Sequence, residues 1–429
     1  MKFSDIRALA SRGYSDSVVR RSFVLLCLMG PAFAINLALY YVAARLLSAN
    51  SFGLFYIAVT AGNVLYSGST VINIFFTHYI VIAIQTSGKA AAYAAWKNIH
   101  YLIARWGVFG FPASILILFG IGKWIGVESW SIIVLIVLDA FTAYLIDVDR
   151  ALLQSLRKTV ALGSLTLAWM ALRFLLGVAG MALFKTAWAG LLGAILAAVL
   201  ILVVLSAIFS ARLRANLQLV SPLPPLRALL AVICGYGSLI LVSNLDVLLT
   251  YLLLGDSSVG AYSASSVFPK GILVVITPLL QMLYPTMVGR RKAAAPHNMA
   301  VLQKCAAVIF LLSGAIGLSV FLFSGVLCGG TWGLRLCQPD PLGYLLISAV
   351  CLSVLRVLVF YESACARDWM SISMLVPAAA YVLIAAMSER SIETVALQFT
   401  VFSAGVLLYY CALTRIAERQ WPISGTPAD

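Results

Sequence analysis

The chain has 429 residues, of which 62% are hydrophobic and only 10% charged. A water-soluble domain carries roughly a quarter charged residues, so a soluble globule is excluded. The net charge of +14 would suggest nucleic acid on a soluble chain. Here the positive side chains gather in the loops of one face, and no nucleic-acid partner is expected. Buried in hydrocarbon, backbone polar groups must be paired internally. The apolar runs are continuous over 18 or more residues rather than alternating over about ten, which selects helices over a barrel.

In chain order, spans are expected at 22–47, 52–84, 101–122, 131–153, 160–183, 187–209, 228–254, 262–288, 301–327, 342–364, 371–388 and 392–414. Arg20 and Arg21 precede the first, and Ala32-Phe33-Ala34 has the form of a leader cleavage site. The apolar run continues past it to Leu47, too long for a removed leader. With residue 1 in the cytoplasm, 21 Lys and Arg fall on the inner side. Five, Arg45, Lys123, Lys185, Arg335 and Arg390, fall on the outer side. The positive-inside rule then places both termini in the cytoplasm, as for a multi-pass protein of a bacterial inner membrane.

The stretch 211–227, with Pro222, Pro224 and Pro225, separates six spans from six. The expected organisation is a cytoplasmic segment 1–21, an N-terminal lobe 22–210, a cytoplasmic linker 211–227, a C-terminal lobe 228–416 and a cytoplasmic tail 417–429. Leu46–Phe55 and Leu253–Tyr262 align at an offset of 207 residues, with Gly53 on Gly260. Both end a span, turn through small polar residues and restart at Phe-Gly or Val-Gly, which reads as a parallel internal repeat. The fold class expected is therefore an all-α polytopic membrane protein, about twelve helices in two six-helix lobes. Transporters of this kind place substrate between the halves.

A charge near the bilayer centre costs about 3 kcal/mol or more, so it must face a cavity or a partner. Arg173, Lys270, Arg356 and Asp246 qualify by depth, and Arg45 sits near the outer end of the first span. Clustered cations in a wet cleft suit an anion such as a diphosphate or acidic sugar. The alternative is pairing, Arg173 with Asp139 or Arg356 with Glu362. Ser263, Ser266, Lys270, Thr277, Gln281 and Tyr284 form a polar stripe on the eighth span. Thr60, Asn63, Ser67, Thr70 and Thr77 do so on the second, and two matching stripes suit a shared cavity, although such residues also serve helix packing. Asp246, with Ser243 and Thr250, and Asp139, with Thr142, are candidates for a coupling proton or sodium ion, or else counter-ions.

Other chemistry is missing. There is no phosphate-cradling GxxxxGK[ST] loop, and His78, His100 and His297 are too scattered for a metal site. No cofactor or metal is expected. Asp147-Val148-Asp149 is a DxD beside Arg150 and reads as a salt-bridged helix end. The eight cysteines show no metal or redox spacing. Cys328 and Cys337 share one outer loop; either they close it as a disulfide, or Cys328 stays in lipid and Cys337 is a lone thiol. The outer loops are short apart from this one, which argues against a catalytic outer loop.

The segment Leu245-Asp246, Leu253-Leu254-Gly255, Val259–Ala264 and Leu283-Tyr284-Pro285 resembles the seventh and eighth helices of polysaccharide flippases. These belong to the multidrug/oligosaccharidyl-lipid/polysaccharide exporter superfamily. Ala44–Ser48 with Phe52–Phe55, and Gln154–Arg157, are similar too. Relatives often carry an Arg late in the second helix, where this chain has Thr77-His78. The resemblance implies a Wzx-type flippase working by alternating access without ATP. Its cationic cavity would take an undecaprenyl-diphosphate-linked oligosaccharide from the inner to the outer leaflet, for O-antigen or exopolysaccharide synthesis. Substrate contacts are expected from Lys270, Arg356, Arg173, Arg45, Asn63, Thr277 and Gln281, and ion coupling from Asp246 and Asp139. The bilayer, a proton or sodium ion and other glycan-assembly membrane proteins are the expected partners. An ion-coupled multidrug extruder of the same superfamily and, behind it, a membrane glycan polymerase or glycosyltransferase are the rival readings.

Overall fold

The computed structural model describes residues 15–124, 130–156, 158–210, 226–292, 298–328, 337–364, 367, 369–388 and 391–420. Within these, several side chains of 63–88 and 278–292 are not described. Every regular element among the described residues is a helix. The order is α1 (Ser15–Leu46), α2 (Ala49–Trp124), α3 (Trp130–Ser155), α4 (Thr159–Phe184), α5 (Ala187–Ser210), α6 (Leu226–Leu254), and α7 (Asp256–Lys292). It continues with α8 (Asn298–Leu322), α9 (Ser324–Cys328), α10 (Pro339–Ala364), α11 (Trp369–Ile372), α12 (Leu375–Met387) and α13 (Ile392–Gln420). Ten helices among the described residues are long and apolar enough to cross a membrane, and the bent pair Ala91–Arg105 and Phe109–Gly120 makes eleven. The chain is an all-α polytopic membrane protein. Leu175, Leu183, Leu196, Val203, Val308 and Leu311 point outward from α4, α5 and α8, as a lipid-facing surface requires.

One local expectation is corrected. The second and third spans were expected to be separated by a loop at 85–100, but these residues are helical and belong to α2. The run Ala90-Ala91-Ala92 to Ala94-Ala95 is a strong helix former and contains no proline. The break between the two expected spans is Gly88, whose φ of 80° and ψ of −177° depart from the helix. The eleventh span is present as Met370–Met387, with a hitch at Ser373-Met374 between α11 and α12.

The repeat extends beyond the ten residues that suggested it. Helices α2 and α7 begin at Ala49 and Asp256, 207 residues apart, the same offset seen in sequence. Helices α3 and α10 begin 209 residues apart, at Trp130 and Pro339, and each runs 26 residues. The two α1–α2-type junctions are built differently. In the first, Ser48 Oγ accepts the Ser51 N–H at 3.3 Å, a side-chain N-cap. In the second, Gly255 turns the chain with φ of 78°, a conformation open to glycine.

Helices α1–α5 pack on one another, as do α6–α13, and the halves meet through α1 and α2 against α6 and α7. Buried apolar side chains fall into two clusters. The larger runs through the C-terminal half and takes from the N-terminal half only residues toward the Leu47 junction, among them Leu39–Leu47 and Phe52–Val59. The smaller, including Leu25, Ile80, Ile99, Ile146 and Leu152, holds the other end of the N-terminal half and no C-terminal residue. Among the described residues, apolar packing therefore joins the halves at this end.

Gly260 lies at that joint. A Cβ there would overlap the Ala49 carbonyl oxygen, a backbone atom that cannot move aside. Gly260→Val should therefore part the halves at this end. A spin-label pair at Ser48 and Leu252 should report the widened distance, and an unchanged distance would show that the joint does not depend on close approach.

The loop containing the outer cysteines is closed, Cys328 and Cys337 being bonded with Cα atoms 4.8 Å apart. Such a short closure contributes about 2–3 kcal/mol locally. On intact cells a membrane-impermeant maleimide should label Cys337 only after reduction. Labelling without reductant would rule the bond out.

Candidate functional site

Where the halves diverge, α1–α4, α6, α7 and α10 enclose a cavity of about 250 Å³. Its walls come from helical stripes. In α1, Met29, Phe33, Asn36, Leu37 and Tyr40 recur at three- and four-residue spacing on one face, as do Thr166, Trp169, Met170 and Arg173 in α4. The second half supplies Asn244 from α6, Lys270 and Thr277 from α7, and Arg356 from α10. The cavity extends from Arg150 and Met29 up to Tyr40 and Tyr56 beneath the joint.

Among the described residues its charges are arranged as pairs with one exception. Arg173 Nη2 lies 3.5 Å from Asp139 Oδ2, and both residues line the cavity. Arg150 Nη1 lies 2.8 Å from Asp147 Oδ1. Lys270 Nζ donates to Asp246 Oδ1 at 3.0 Å and to Asn244 Oδ1 at 3.2 Å. Asp246 is wholly buried and also accepts the Tyr262 hydroxyl at 3.0 Å. Arg356 differs. Its Nη1 donates to the Leu273 carbonyl at 3.0 Å and to Thr277 Oγ1 at 2.9 Å, both neutral acceptors. Its Nε is buried with no hydrogen-bond partner. No carboxylate among the described residues forms an ion pair with it. The anticipated partner, Glu362, instead faces Arg367 at 3.5 Å. Arg356 leaves the cavity with a surplus positive charge.

Of the residues proposed from sequence, Lys270, Arg356, Arg173, Thr277 and Asp139 line this one cavity. The paired and the cavity-lining readings both hold for Arg173, since its partner lines the cavity too. Arg45 is placed elsewhere: its guanidinium lies 5.0 Å from the Tyr41 ring centre in the last turn of α1, and it is not among the lining residues. The side chains of Asn63 and Gln281 lie outside the described residues, as do those of Ser67, Thr70, His78 and Tyr284. Helices α7 and α2 meet where Ser266 Oγ donates to Tyr56 Oη at 3.0 Å, one turn before Thr60 of the second stripe. Thr60, Lys270 and Thr277 from these stripes reach the cavity, whereas Ser263 and Ser266 are fully buried in the packing between halves. Asp246 lies behind Lys270, in a space of about 10 Å³ shared with Ser243, Ser266 and Ser348.

The DxD is a buried structural knot. Asp147 holds Arg150, and Asp149 accepts the Trp96 indole N–H at 2.7 Å with His100 at 3.5 Å. No group of three or more His, Cys, Asp or Glu suited to a metal ion occurs among the described residues. Sequence reasoning missed Arg150, Asn36, Tyr40, Tyr56, Trp169 and Asn244. Arg150 was counted with the loop charges; the others carry no charge and were hidden among apolar neighbours. The helical spacing of Phe33-Asn36-Leu37-Tyr40 is the signal that would have found the α1 face.

No family profile matches the chain, and no curated protein matches it in sequence. Its fold is nevertheless that of solved transporters. A MATE solved with MaL6 superposes with a TM-score of 0.70 at 12% identity, covering 93% of this chain and 95% of that one. A MOP superfamily transporter from Pyrococcus furiosus, described as having a binding pocket of reverse polarity that suggests a different function, gives 0.65 at 14% identity, covering 94% and 96%. An inward-facing multidrug resistance MATE family transporter of the MOP superfamily gives 0.66 at 14% identity, covering 95% and 100%. Over nearly its whole length, this chain has the fold of the MATE transporters of the MOP superfamily.

Proposed function

We propose that this protein is a flippase that carries an undecaprenyl-diphosphate-linked oligosaccharide from the cytoplasmic to the outer leaflet of a bacterial inner membrane. The observation that carries the reading is Arg356, a half-buried guanidinium in the central cavity whose acceptors among the described residues are neutral. A cation so placed attracts a diphosphate in a poorly screened cleft and repels a cationic drug. Lys270 and Arg173 add charge whose pairing with Asp246 and Asp139 can be exchanged for phosphate oxygens.

With both termini in the cytoplasm, the end at which the halves are joined is the outer one, and the cavity faces inward. The lipid diphosphate enters between the diverging halves and bridges the cations of α7 and α10 to the N-terminal wall. Closing the inner side around it strains the apolar joint at Ala49 and Gly260, which then opens outward. At about 250 Å³ the cavity is smaller than most drug-sized sites. It suits the diphosphate and the sugar nearest to it, the rest of the glycan and the lipid tail remaining outside. Asp246 would couple the cycle to a cation: the space beside it has the size of one water or small ion and is lined by Ser243, Ser266 and Ser348.

A multidrug extruder is the second reading, favoured by the fold neighbours and by the acidic Asp139 in the cavity wall. Proteoliposomes separate the two. A lipid-diphosphate-linked sugar should move to the opposite leaflet, detected by its accessibility to a lectin, while ethidium should not accumulate. Ethidium transport without lipid-linked sugar transport would reverse the assignment.

A further inference from the structure

The N-terminal wall of the cavity is chemically unlike the C-terminal one, and its features are not those of an anion site. Trp169 is only 4% exposed, lines the cavity, and its indole N–H has no acceptor among the described residues. Asn36 lines the same cavity from α1 beside the Tyr40 hydroxyl, and its Oδ1 is buried with no donor among the described residues. An unmet buried donor or acceptor costs about 1–3 kcal/mol, so such groups are normally satisfied by protein, water or ligand. Here a lone donor and a lone acceptor share one cavity with the aromatic rings of Phe33, Tyr40 and Trp169. Tyr40 is held in place edge-on to Tyr56, ring centres 5.6 Å apart. The nearby Thr166 hydroxyl is already spent on the Leu162 carbonyl at 3.0 Å.

A ligand meeting these groups presents both a donor and an acceptor on a body with apolar faces. A pyranose ring does so: adjacent hydroxyls give and accept hydrogen bonds, and its axial C–H face lies well against an aromatic ring. A diphosphate offers no donor, and a planar cationic drug has no need of the pair. We propose that Trp169 and Asn36, with the Tyr40 and Phe33 rings, form a subsite for the sugar unit nearest the diphosphate, opposite the anion site of Arg356 and Lys270. This rests on the lipid-linked glycan reading and adds to it where recognition of the sugar occurs.

The test uses the full chain in nanodiscs and three probes: undecaprenyl diphosphate, the same lipid bearing one N-acetylhexosamine, and ethidium. The measured quantity is the ratio of affinities for the sugar-bearing and bare lipids within each variant, which partial loss of folded protein does not move. Trp169→Phe keeps the ring and removes the N–H; Asn36→Leu removes the acceptor. The parent should favour the sugar-bearing lipid, and the double variant should lose about tenfold of that ratio, as two hydrogen bonds would give. Arg356→Gln should weaken both lipids and leave the ratio in place. Equal binding of the two lipids by the parent, or a ratio unmoved by the double variant, would overturn the sugar subsite while leaving the diphosphate reading intact. Binding of ethidium with neither lipid bound would overturn that reading and the subsite with it.

Discussion

Replacing Arg356 by Gln should abolish surface glycan in cells that depend on this protein, while the protein itself still accumulates in the membrane. The side chain is fully within the helical bundle, yet its charge is not matched by a carboxylate among the described residues. Gln keeps a donor for the Leu273 carbonyl and Thr277, so packing of α7 on α10 should survive. What is lost is the attraction for a doubly charged phosphate group. At about 4 Å, and with the effective dielectric suited to protein sites, one unit-charge pair contributes roughly 4 kcal/mol. Part of this is offset by desolvation, so a fall in transport of about a hundredfold is expected. Arg356→Lys should retain more activity than Gln, as charge without the fork geometry. Complementation of a null strain, scored by surface glycan against the level of tagged protein, gives the answer. Full complementation by the Gln variant would remove Arg356 from the site.

The second large effect concerns Asp246. Its carboxylate is wholly buried, 3.0 Å from Lys270 Nζ. Asp246→Asn leaves that ammonium uncompensated, a loss of about 3–5 kcal/mol when one partner of a buried pair is removed. Accumulation and thermal stability should fall together. In the double variant Lys270→Met, Asp246→Asn no unpaired charge remains, and accumulation should recover. Transport should not, if Lys270 holds the diphosphate and Asp246 the coupling cation as proposed. Recovery of ion-dependent transport in the double variant would reduce Asp246 to a counter-ion.

Much of the membrane architecture was readable from the chain because hydropathy and helical period respond to the bilayer directly. The offset of 207 residues between Ala49 and Asp256 shows that even the repeat was legible, from a short turn whose small residues must sit at a helix start. The loop expected at 85–100 was misjudged because Lys89, Lys97 and His100 lower hydropathy without breaking a helix. Depth in the span pointed to Arg173, Lys270 and Arg356, since charge in hydrocarbon is costly wherever it occurs. Depth does not say which partner lies across the bundle. Glu362 is only six residues from Arg356 in sequence, yet it faces Arg367. Arg45 illustrates the same limit: its charge rests over a tyrosine ring at the end of α1, away from the cavity. Trp169 and Asn36 were invisible because their importance lies in hydrogen bonds left unmade, which only three dimensions reveal.

The equal lengths of α3 and α10 have a consequence for direction. Counted from their first residues, Asp147 and Arg356 both stand eighteenth of 26. Corresponding turns of the two helices thus carry opposite signs in the two halves. On α3 the acid is cancelled by Arg150 three residues on; on α10 the base is left uncancelled. A twofold scaffold has become electrically one-sided. An elongated guest with a single acidic end therefore does not see two equivalent poses related by the pseudo-symmetry. On the proposed reading it would be turned the same way round each time it arrives, acid toward α10, before either half has moved.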